Sequence, residues 1–192
     1  MIEKTDGVIV ETDSIKQKLR KQGIDIPIIT IQTVRRLKIK KVKKTNEIIV
    51  LCVSRLSKEK NVGGLLKIMA TIKSQKKFKL WVAGGGPEAA RLRRLAKALK
   101  IEPIIRFLGK IDFGKINEIY SQADIFAYQS KSDTQAVVVS EAMAAGLPIV
   151  AYNLPGPKDL IVSGKEGWLA ENDDDFRNYL LEAPFKSGRF FG

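Results

Sequence analysis

Residues 130–150 read SKSDTQAVVVSEAMAAGLPIV and contain the parts of one β/α unit. A loop of small and polar residues over 130–136 leads into a helix of small residues that ends at Gly146. The apolar run that follows this glycine predicts a buried strand. Asp133 in the loop and Glu141 in the helix are acidic residues eight positions apart. The stretch therefore predicts a loop-to-helix turn next to a buried strand, with one acid in the loop and one in the helix.

Apolar runs and helical patterns alternate on both sides of this stretch. The apolar runs predict strands over residues 7–11, 27–31, 47–53, 78–83, 104–108, 124–128, 147–152 and 167–170. The helical patterns cover residues 14–22, 62–74, 87–99, 114–121, 134–145 and 174–181. Because the strands are mostly apolar on both faces, we expect an α/β fold, a Rossmann-like parallel sheet with helices on both faces. Ligands of such sheets bind beyond the carboxyl ends of the strands.

The composition limits the size of the molecule and the kind of site it can carry. At 192 residues the chain is long enough for one packed domain and a fragment of a second. The absence of histidine removes the commonest general base and the commonest transition-metal ligand, so we expect no metal site. The single cysteine, Cys52, excludes an internal disulfide, and its apolar neighbours predict a buried core residue.

The net charge of +13 predicts an anionic partner, which is nucleic acid, a membrane surface or an anionic substrate. Much of this charge lies in residues 35–44 and in the helical pattern 88–100. That helix either packs its leucines on the core with a solvated basic face or docks on anionic lipid headgroups. Nucleic acid is disfavoured because no basic motif is interleaved with aromatic residues. Without a signal-peptide pattern or a long apolar run, we expect a cytoplasmic protein, soluble or peripheral on the inner face of the membrane.

Two candidate phosphate-binding side chains follow the strand predicted over residues 47–53. Arg55 leaves the end of this strand and Lys60 precedes the next helix, so both can reach an anion at that edge of the sheet. Arginine offers a planar fork to phosphate oxygens, and lysine offers a mobile point charge. A solvated basic loop is the simpler interpretation of these residues taken alone.

Glycine-containing turns follow the next two predicted strands. The glycines of residues 84–86, with Gly85 at their centre, let the backbone turn sharply or pass close to a ligand. Gly109 precedes Lys110 and Ile111, where backbone groups can hold a flat base. Each sequence also fits an ordinary tight strand-to-helix turn, and the first lacks the lysine of a P-loop.

The loop-to-helix turn is a third candidate site, because a helix N-terminus carries partial positive charge suited to a pyrophosphate. The candidate contacts to this anion are Thr134, Gln135, Ala136 and Val137. Asp133 in the loop can accept hydrogen bonds from sugar hydroxyls. Glu141 lies in an apolar setting and needs hydrogen-bond donors, which a ribose diol would supply. An ordinary carboxylate on a helix face is the alternative interpretation of Glu141.

Four motifs, in their order along the chain, resemble one family of enzymes. They are VSRLSKEKNV, VAGGGPE, FLGKI and DIFAYQSKSDTQAVVVSEAMAAGLPIVAYNLPGPKDLI. They resemble the C-terminal, donor-binding domain of glycosyltransferase family 4, whose enzymes have the GT-B fold, retain configuration, need no metal ion and use nucleotide-diphosphate sugars. The implied segments are a remnant of the N-terminal domain's last β-α-β unit over residues 1–33, a basic connector over 34–46, a nucleotide-sugar-binding domain over 47–182 and a tail over 183–192.

The resemblance also implies a role for each candidate residue. Arg55 and Lys60 would bind the diphosphate and stabilise the leaving nucleotide, and Ala136 and Val137 would contact the same diphosphate. Lys110 and Ile111 would bind the base. Asp133 would contact the donor sugar, and Glu141 would bind the ribose. The implied donor substrate is a nucleotide-diphosphate sugar of the UDP or GDP type. No cofactor is implied.

The chain departs from the family pattern at Asp133 and Ala136, at Ser54, which replaces a common glycine, and in its length. Asp133 stands where the family has glutamate, so its carboxylate is one methylene shorter. Ala136 stands where the family usually has glycine, and its Cβ crowds the diphosphate or forces a different loop path. Most of the N-terminal, acceptor-binding domain is absent. We therefore expect a hexosyltransferase-type enzyme (EC 2.4) that needs a separate half to bind an acceptor sugar or lipid.

Three alternatives stay open. The chain is a non-catalytic subunit or remnant that binds a nucleotide sugar, a nucleotide-sugar epimerase on the same fold, or a basic adaptor for membranes or nucleic acid. The acidic pair followed by AMAAGLPIVA favours the transferase over the epimerase.

Overall fold

The computed structural model describes residues 5–31, 37, 46–112, 114–132 and 136–183. The strands of these residues are β1 (Val8–Val10), β2 (Ile28–Thr30), β3 (Ile48–Val53), β4 (Phe78–Ala83), β5 (Ile105–Gly109), β6 (Ile125–Tyr128), β7 (Ile149–Tyr152) and β8 (Gly167–Ala170). The helices are α1 (Asp13–Lys21), α2 (Val62–Ile72), α3 (Ala89–Ala98), α4 (Ile116–Gln122), α5 (Val137–Ala144), α6 (Pro157–Leu160) and α7 (Asp173–Glu182).

Six of the strands form one parallel sheet in the order β5-β4-β3-β6-β7-β8. Counted from β3, this is the order 3-2-1-4-5-6 of the Rossmann fold. The direction of strand addition reverses between β3 and β6, which are hydrogen-bonded neighbours. The Rossmann-like parallel sheet expected from the sequence is confirmed.

The sheet separates two hydrophobic cores because successive side chains of a strand point to opposite faces. On β3, Val50 and Cys52 face the first core, to which α2, α3 and α7 contribute. Leu51, between them, faces the second core, to which α4 and α5 contribute. All three side chains are almost fully buried. Helices therefore cover both faces, as the apolar strands predicted.

Strands β1 and β2 form a separate two-stranded parallel sheet joined by α1. The Ser14 hydroxyl donates a hydrogen bond to Asp159 Oδ1 at 2.7 Å, which links this unit to α6 of the larger sheet's domain. Ile9 and Ile29 of the pair are exposed by 68% and 59%, unlike the buried strands of the large sheet. The basic connector predicted over residues 34–46 lies almost entirely outside the described residues.

Helix α5 begins later than its sequence pattern predicted. The sequence pattern predicted a helix from Thr134 that includes Ala136. This prediction is wrong at Ala136, which has left-handed backbone angles, φ 44° and ψ 41°. A left-handed residue ends regular helix geometry, so the first helical residue is Val137. The sequence pattern also missed the short helix α6 and the 3-10 turns Lys58–Lys60 and Glu102–Ile104.

Candidate functional site

The reversal of strand order between β3 and β6 defines the crevice where ligands of open α/β sheets bind. The loop after β3 carries Arg55 and Lys60, and the loop after β6 leads to Ala136 and the start of α5. These two loops border the crevice because β3 and β6 are adjacent and parallel. The topology therefore brings together candidate residues that are some 80 positions apart in the sequence.

Backbone hydrogen bonds tie the loops at this edge to one another. The amide of Leu56 donates to the carbonyl of Gly85 at 3.0 Å, which joins the loops after β3 and β4. The amide of Lys131 donates to the carbonyl of Glu59 at 2.8 Å, which joins the loops after β6 and β3. These bonds fix the loops that border the crevice to one another, so that each loop supports its neighbour.

Two glycines of the 84–86 turn are needed for this close approach of backbone to backbone. Gly84 has φ +134°, and a Cβ on it would lie 1.8 Å from the carbonyl oxygen of Ser54. A Cβ on Gly86 would lie 2.4 Å from the carbonyl oxygen of Leu56. No side chain fits at either position. These glycines are therefore explained by the packing of two loops, without a ligand.

Gly85, the middle glycine, lies against a second candidate residue. A Cβ built on Gly85 would be 3.0 Å from Cγ of Lys110, so the aliphatic part of this lysine passes over the glycine. Lys110 is exposed, and Ile111 beside it is partly buried against the second core. The structure thus groups Gly85, Lys110 and Ile111 at the ends of β4 and β5.

The two candidate cations of the β3 loop differ in their surroundings. Arg55 is exposed, whereas Lys60 is partly buried and its ammonium donates to the hydroxyl of Tyr128 at 3.4 Å. The Lys60 ammonium also lies 5.9 Å from the centre of the Tyr128 ring. Tyr128 is the last residue of β6 and is almost fully buried, with its ring stacked on Phe126. A fixed aromatic side chain therefore holds one cation across the crevice.

Glu59 lies beside these cations in the same loop. A hydrogen bond from the Ser57 hydroxyl, followed by one from the backbone, holds the pKa of the Glu59 carboxyl below its ordinary value. The positive charges of Lys60 and Arg55 act in the same direction. The loop is therefore a cationic segment that contains one carboxylate, and Glu59 lies in the sequence between the two residues predicted to bind phosphate.

Helix α5 follows the loop that leaves β6, one of the two strands that border the crevice. Ala136 is 1% exposed, and its carbonyl accepts from the amide of Val139 at 2.7 Å in the first turn of the helix. The N-terminal end of this helix carries partial positive charge and is the second source of positive potential at the site. Val137 is thus the first residue of α5 and Ala136 precedes it, whereas the sequence pattern placed both residues inside the helix. Asp133, Thr134 and Gln135 lie outside the described residues.

Glu141 is a buried carboxylate with an identified partner. Its side chain is 5% exposed, and Oε2 accepts a hydrogen bond from the hydroxyl of Tyr120 at 2.9 Å. Tyr120 belongs to α4 and is fully buried. The sequence predicted that Glu141 needs a donor but did not identify Tyr120. The sequence signal for Glu141 is a carboxylate within an apolar helix segment. The sequence does not indicate its partner, because Tyr120 lies 21 positions away.

Gln129, next to Tyr128, is a further residue that the sequence analysis missed. It is 1% exposed, its amide nitrogen donates to the hydroxyl of Tyr152 at 3.5 Å, and its carbonyl oxygen accepts no hydrogen bond from the described residues. A buried polar side chain directly after an apolar strand is the available sequence signal for such a residue.

Two kinds of feature are absent from the described residues, namely clusters of metal ligands and membrane-spanning helices. No group of three or more histidine, cysteine, aspartate or glutamate side chains there is arranged to hold a metal ion. None of the helices in the same part of the chain has the length and apolar character needed to cross a membrane.

The sequence over most of this domain matches a known family. A family model described as "Glycosyl transferases group 1" matches residues 34–183, which include all the candidate residues. The chain belongs to this family.

Named relatives support the assignment. The chain is 31% identical to an alpha-monoglucosyldiacylglycerol synthase of Streptococcus pneumoniae over 93% of its own length and 44% of the synthase. Its structure is similar to that of the pneumococcal O-GlcNAc transferase GtfA, solved with UDP and GlcNAc, with a TM-score of 0.79, 25% identity, and coverage of 92% of this chain and 37% of GtfA. TarM, at 22% identity, shows the same fold with a TM-score of 0.84, over 95% of this chain and 37% of TarM. The chain therefore spans less than half the length of these relatives.

Proposed function

We propose that this chain is the C-terminal, donor-binding half of a retaining, metal-independent glycosyltransferase of family 4. The main support for this proposal is that Arg55, Lys60 and the N-terminus of α5 border one crevice at the point where the strand order reverses. Two cations and a helix N-terminus favour a ligand with several negative charges, and a nucleotide diphosphate is such a ligand. The solved complex of GtfA with UDP and GlcNAc supports this choice of ligand class.

The proposed contribution to the reaction is electrostatic. When the bond between the sugar and the diphosphate breaks, negative charge grows on the departing phosphate and positive charge grows on the sugar ring. Arg55, Lys60 and the start of α5 oppose the first of these charges. Preorganised groups of this kind are often the largest single term in catalysis. The positive charge that the leaving group needs is thus proposed to come from the protein, without a metal ion.

The remaining candidate residues hold the rest of the donor in this proposal. Glu141, whose Oε2 accepts a hydrogen bond from Tyr120, accepts hydrogen bonds from the ribose hydroxyls. Backbone groups of Lys110 and Ile111 hold the base beside Gly85, and Asp133 faces the donor sugar. The donor is of the UDP or GDP type.

The acceptor is a sugar or a lipid held by a separate N-terminal half, on the same or another polypeptide. The name of the Streptococcus pneumoniae relative, a monoglucosyldiacylglycerol synthase, supports a lipid. We expect the donor half alone to bind the nucleotide sugar without transferring the sugar. The domain boundaries and the cytoplasmic location expected from the sequence stay predictions.

The test is a calorimetric titration of the chain with UDP, GDP and ADP, repeated with Glu141→Ala. We expect saturable binding of one uridine or guanosine nucleotide, weakened about tenfold or more in the variant, because a charged hydrogen-bond partner contributes about 1.5–3 kcal/mol. Glu182→Ala, which changes another glutamate at the end of α7, serves as the matched control and keeps full affinity. Absence of binding by all three nucleotides would refute the proposed donor site.

A further inference from the structure

The segment of residues 89–101 has a charge pattern that the donor site does not explain. Its sequence, AARLRRLAKALKI, contains five cations and no acidic residue. Leu92 and Ala96 are buried against the first core. The five cations, which are all exposed, are Arg91, Arg93, Arg94, Lys97 and Lys100. Helix α3 and the residues after it thus have one apolar face on the core and one face of a single charge sign.

A neighbouring helix brings a further cation to this face. Lys73 follows the last residue of α2, and its ammonium donates to the carbonyl of Lys100 at 3.1 Å. Near the middle of α3, the guanidinium of Arg93 lies 4.8 Å from the ring centre of Phe107 on β5, which holds it in place. We call the exposed cations Lys73, Arg93, Arg94, Lys97 and Lys100 the α3 basic surface.

Most of this charge is not neutralised by the described residues. Arg91 pairs with Glu88, but no carboxylate among those residues pairs with Arg94, Lys97 or Lys100. Cations three or four positions apart on a helix repel one another, and Arg94 and Lys97 are such a pair. The partial negative charge of the helix C-terminus favours Lys100 and Lys73 but decays within one turn. Within the described part of the chain, no carboxylate therefore offsets the repulsion among Arg94, Lys97 and Lys100.

We propose that the α3 basic surface docks on the anionic phospholipid headgroups of a bilayer. A row of cations along one side of a helix matches a plane of phosphates. The exposed large apolar side chains of the described residues are Ile9, Ile29, Ile31 and Val162. None of these is aromatic, so the described surface offers no platform on which nucleic acid bases stack. None lies on α3 either, so docking is electrostatic and does not insert side chains into the lipid.

This surface is separate from the proposed donor site. Helix α3 returns from the carboxyl end of β4 to the amino end of β5, so its C-terminal cations lie at the opposite edge of the sheet from the crevice. With α3 flat on the bilayer, the strands run along the membrane plane and the crevice opens sideways. A variant can therefore lose lipid binding and keep nucleotide binding, or lose nucleotide binding and keep lipid binding.

The test is co-sedimentation of the purified chain with vesicles of phosphatidylglycerol and phosphatidylcholine, and with vesicles of phosphatidylcholine alone. We expect binding to the anionic vesicles only, and loss of binding at high salt. Each cation near an anionic membrane contributes about 1 kcal/mol, so the triple variant Arg94→Gln, Lys97→Gln, Lys100→Gln should partition about a hundredfold less. Circular dichroism confirms that each variant is folded.

A matched control removes the same number of charges elsewhere. The triple variant Lys18→Gln, Lys21→Gln, Lys165→Gln changes three exposed lysines outside the α3 basic surface and should keep nearly all vesicle binding. Equal losses in the two triple variants would show that only net charge matters and would overturn the proposal. Full retention in the α3 variant, with loss on neutralising residues 35–44, would overturn it as well. So would tight binding of duplex DNA that needs the α3 cations, without vesicle binding.

Discussion

At the scale of single residues, Ala136 combines a special backbone conformation with a place at the proposed diphosphate. Its φ of 44° lies in the left-handed region, which costs an alanine about 1–2 kcal/mol. The family that the sequence resembles usually has glycine at this position, and glycine adopts these angles without that cost. The departure from the family pattern is therefore accommodated by strained backbone, and α5 still begins directly after it.

Ala136→Gly should stabilise the protein. Relief of the left-handed strain exceeds the extra entropy of glycine in the unfolded chain, so we expect a gain of about 0.5–1 kcal/mol in the free energy of unfolding, measured with urea. The control is Ala98→Gly at the exposed end of α3, where the same change in an ordinary helical residue should destabilise. Loss of stability in both variants would show that Ala136 is not strained.

Tyr128 is the second residue with a testable role, because its hydroxyl and ring hold the Lys60 ammonium. Tyr128→Phe keeps the ring and its stacking on Phe126 but removes the hydroxyl. We expect nucleotide affinity to fall about threefold to tenfold, since one such hydrogen bond contributes about 1 kcal/mol, with little change in melting temperature. Tyr179→Phe in α7 is the control. If both variants bind as the wild type does, Tyr128 does not position Lys60.

At the scale of elements, the 84–86 turn joins β4 to α3 and lies directly against the loop after β3. Gly86→Ala would put a methyl group 2.4 Å from the carbonyl oxygen of Leu56, which is backbone and has little freedom to move. We expect a loss of about 1–3 kcal/mol in stability from this overpacking, together with weaker nucleotide binding. Denaturant unfolding and calorimetry provide the two measurements.

A matched glycine tests whether this effect is local. Gly114 precedes α4, and a Cβ on it would meet no atom within 4 Å. Gly114→Ala should therefore leave stability and nucleotide binding nearly unchanged. A similar loss in both alanine variants would contradict the steric explanation for the 84–86 turn.

The strands were predictable from the sequence because apolar runs of four to six residues are the signature of a buried parallel sheet. The order of the strands could not be predicted, because it depends on pairs of strands such as β3 and β6, which are far apart in the chain. The start of α5 was predicted wrongly because a left-handed alanine leaves no trace in a helical pattern. Helix α6 was missed because its proline and glycine neighbours resemble a turn.

The candidate site was predictable in part. The positions of Arg55 and Lys60 after β3, and of Glu141 within α5, could be derived from motif spacing. The hydroxyl partners of Lys60 and Glu141 could not, because Tyr128 and Tyr120 come from other elements and look like ordinary core aromatics in the sequence. Contacts of this kind depend on tertiary packing, which local patterns do not record.

At the scale of the whole molecule, the pH dependence of stability reports on the buried core. Burial raises the pKa of the Cys52 thiol from 9.0 to about 12, so this thiol stays neutral in the folded chain where the unfolded chain would lose its proton. The unfolded state then binds fewer protons than the folded state, and stability falls as pH rises. Burial, with the Asp173 carboxylate next, also raises the pKa of Tyr152 above its ordinary 10.0, which extends the trend.

We therefore expect the free energy of unfolding to decrease above pH 9, with Cys52 contributing a slope of about 1.4 kcal/mol per pH unit. Urea denaturation at a series of pH values measures this slope. Cys52→Ala should flatten the first part of the curve without changing the part that starts near pH 10. An unchanged slope in the variant would mean that the thiol is not buried as described.

The separate β1-β2 pair also bears on the molecule as a whole. Its exposed Ile9 and Ile29 lie on a parallel sheet, and such sheets are normally covered on both faces. The pneumococcal synthase and GtfA, which match this chain, are each more than twice its length. Both observations agree with the proposal that the acceptor half is supplied by further polypeptide.

The most direct test of the central claim is to map the nucleotide on the protein. Amide chemical shifts of the isotopically labelled chain would be recorded by NMR during titration with the nucleotide selected by calorimetry. We predict that the largest changes lie at Arg55–Lys60, Gly85, Lys110–Ile111 and Ala136–Glu141, around the crevice between β3 and β6. Changes confined to other surfaces, such as the ends of β7 and β8, with these amides unaffected, would contradict the account.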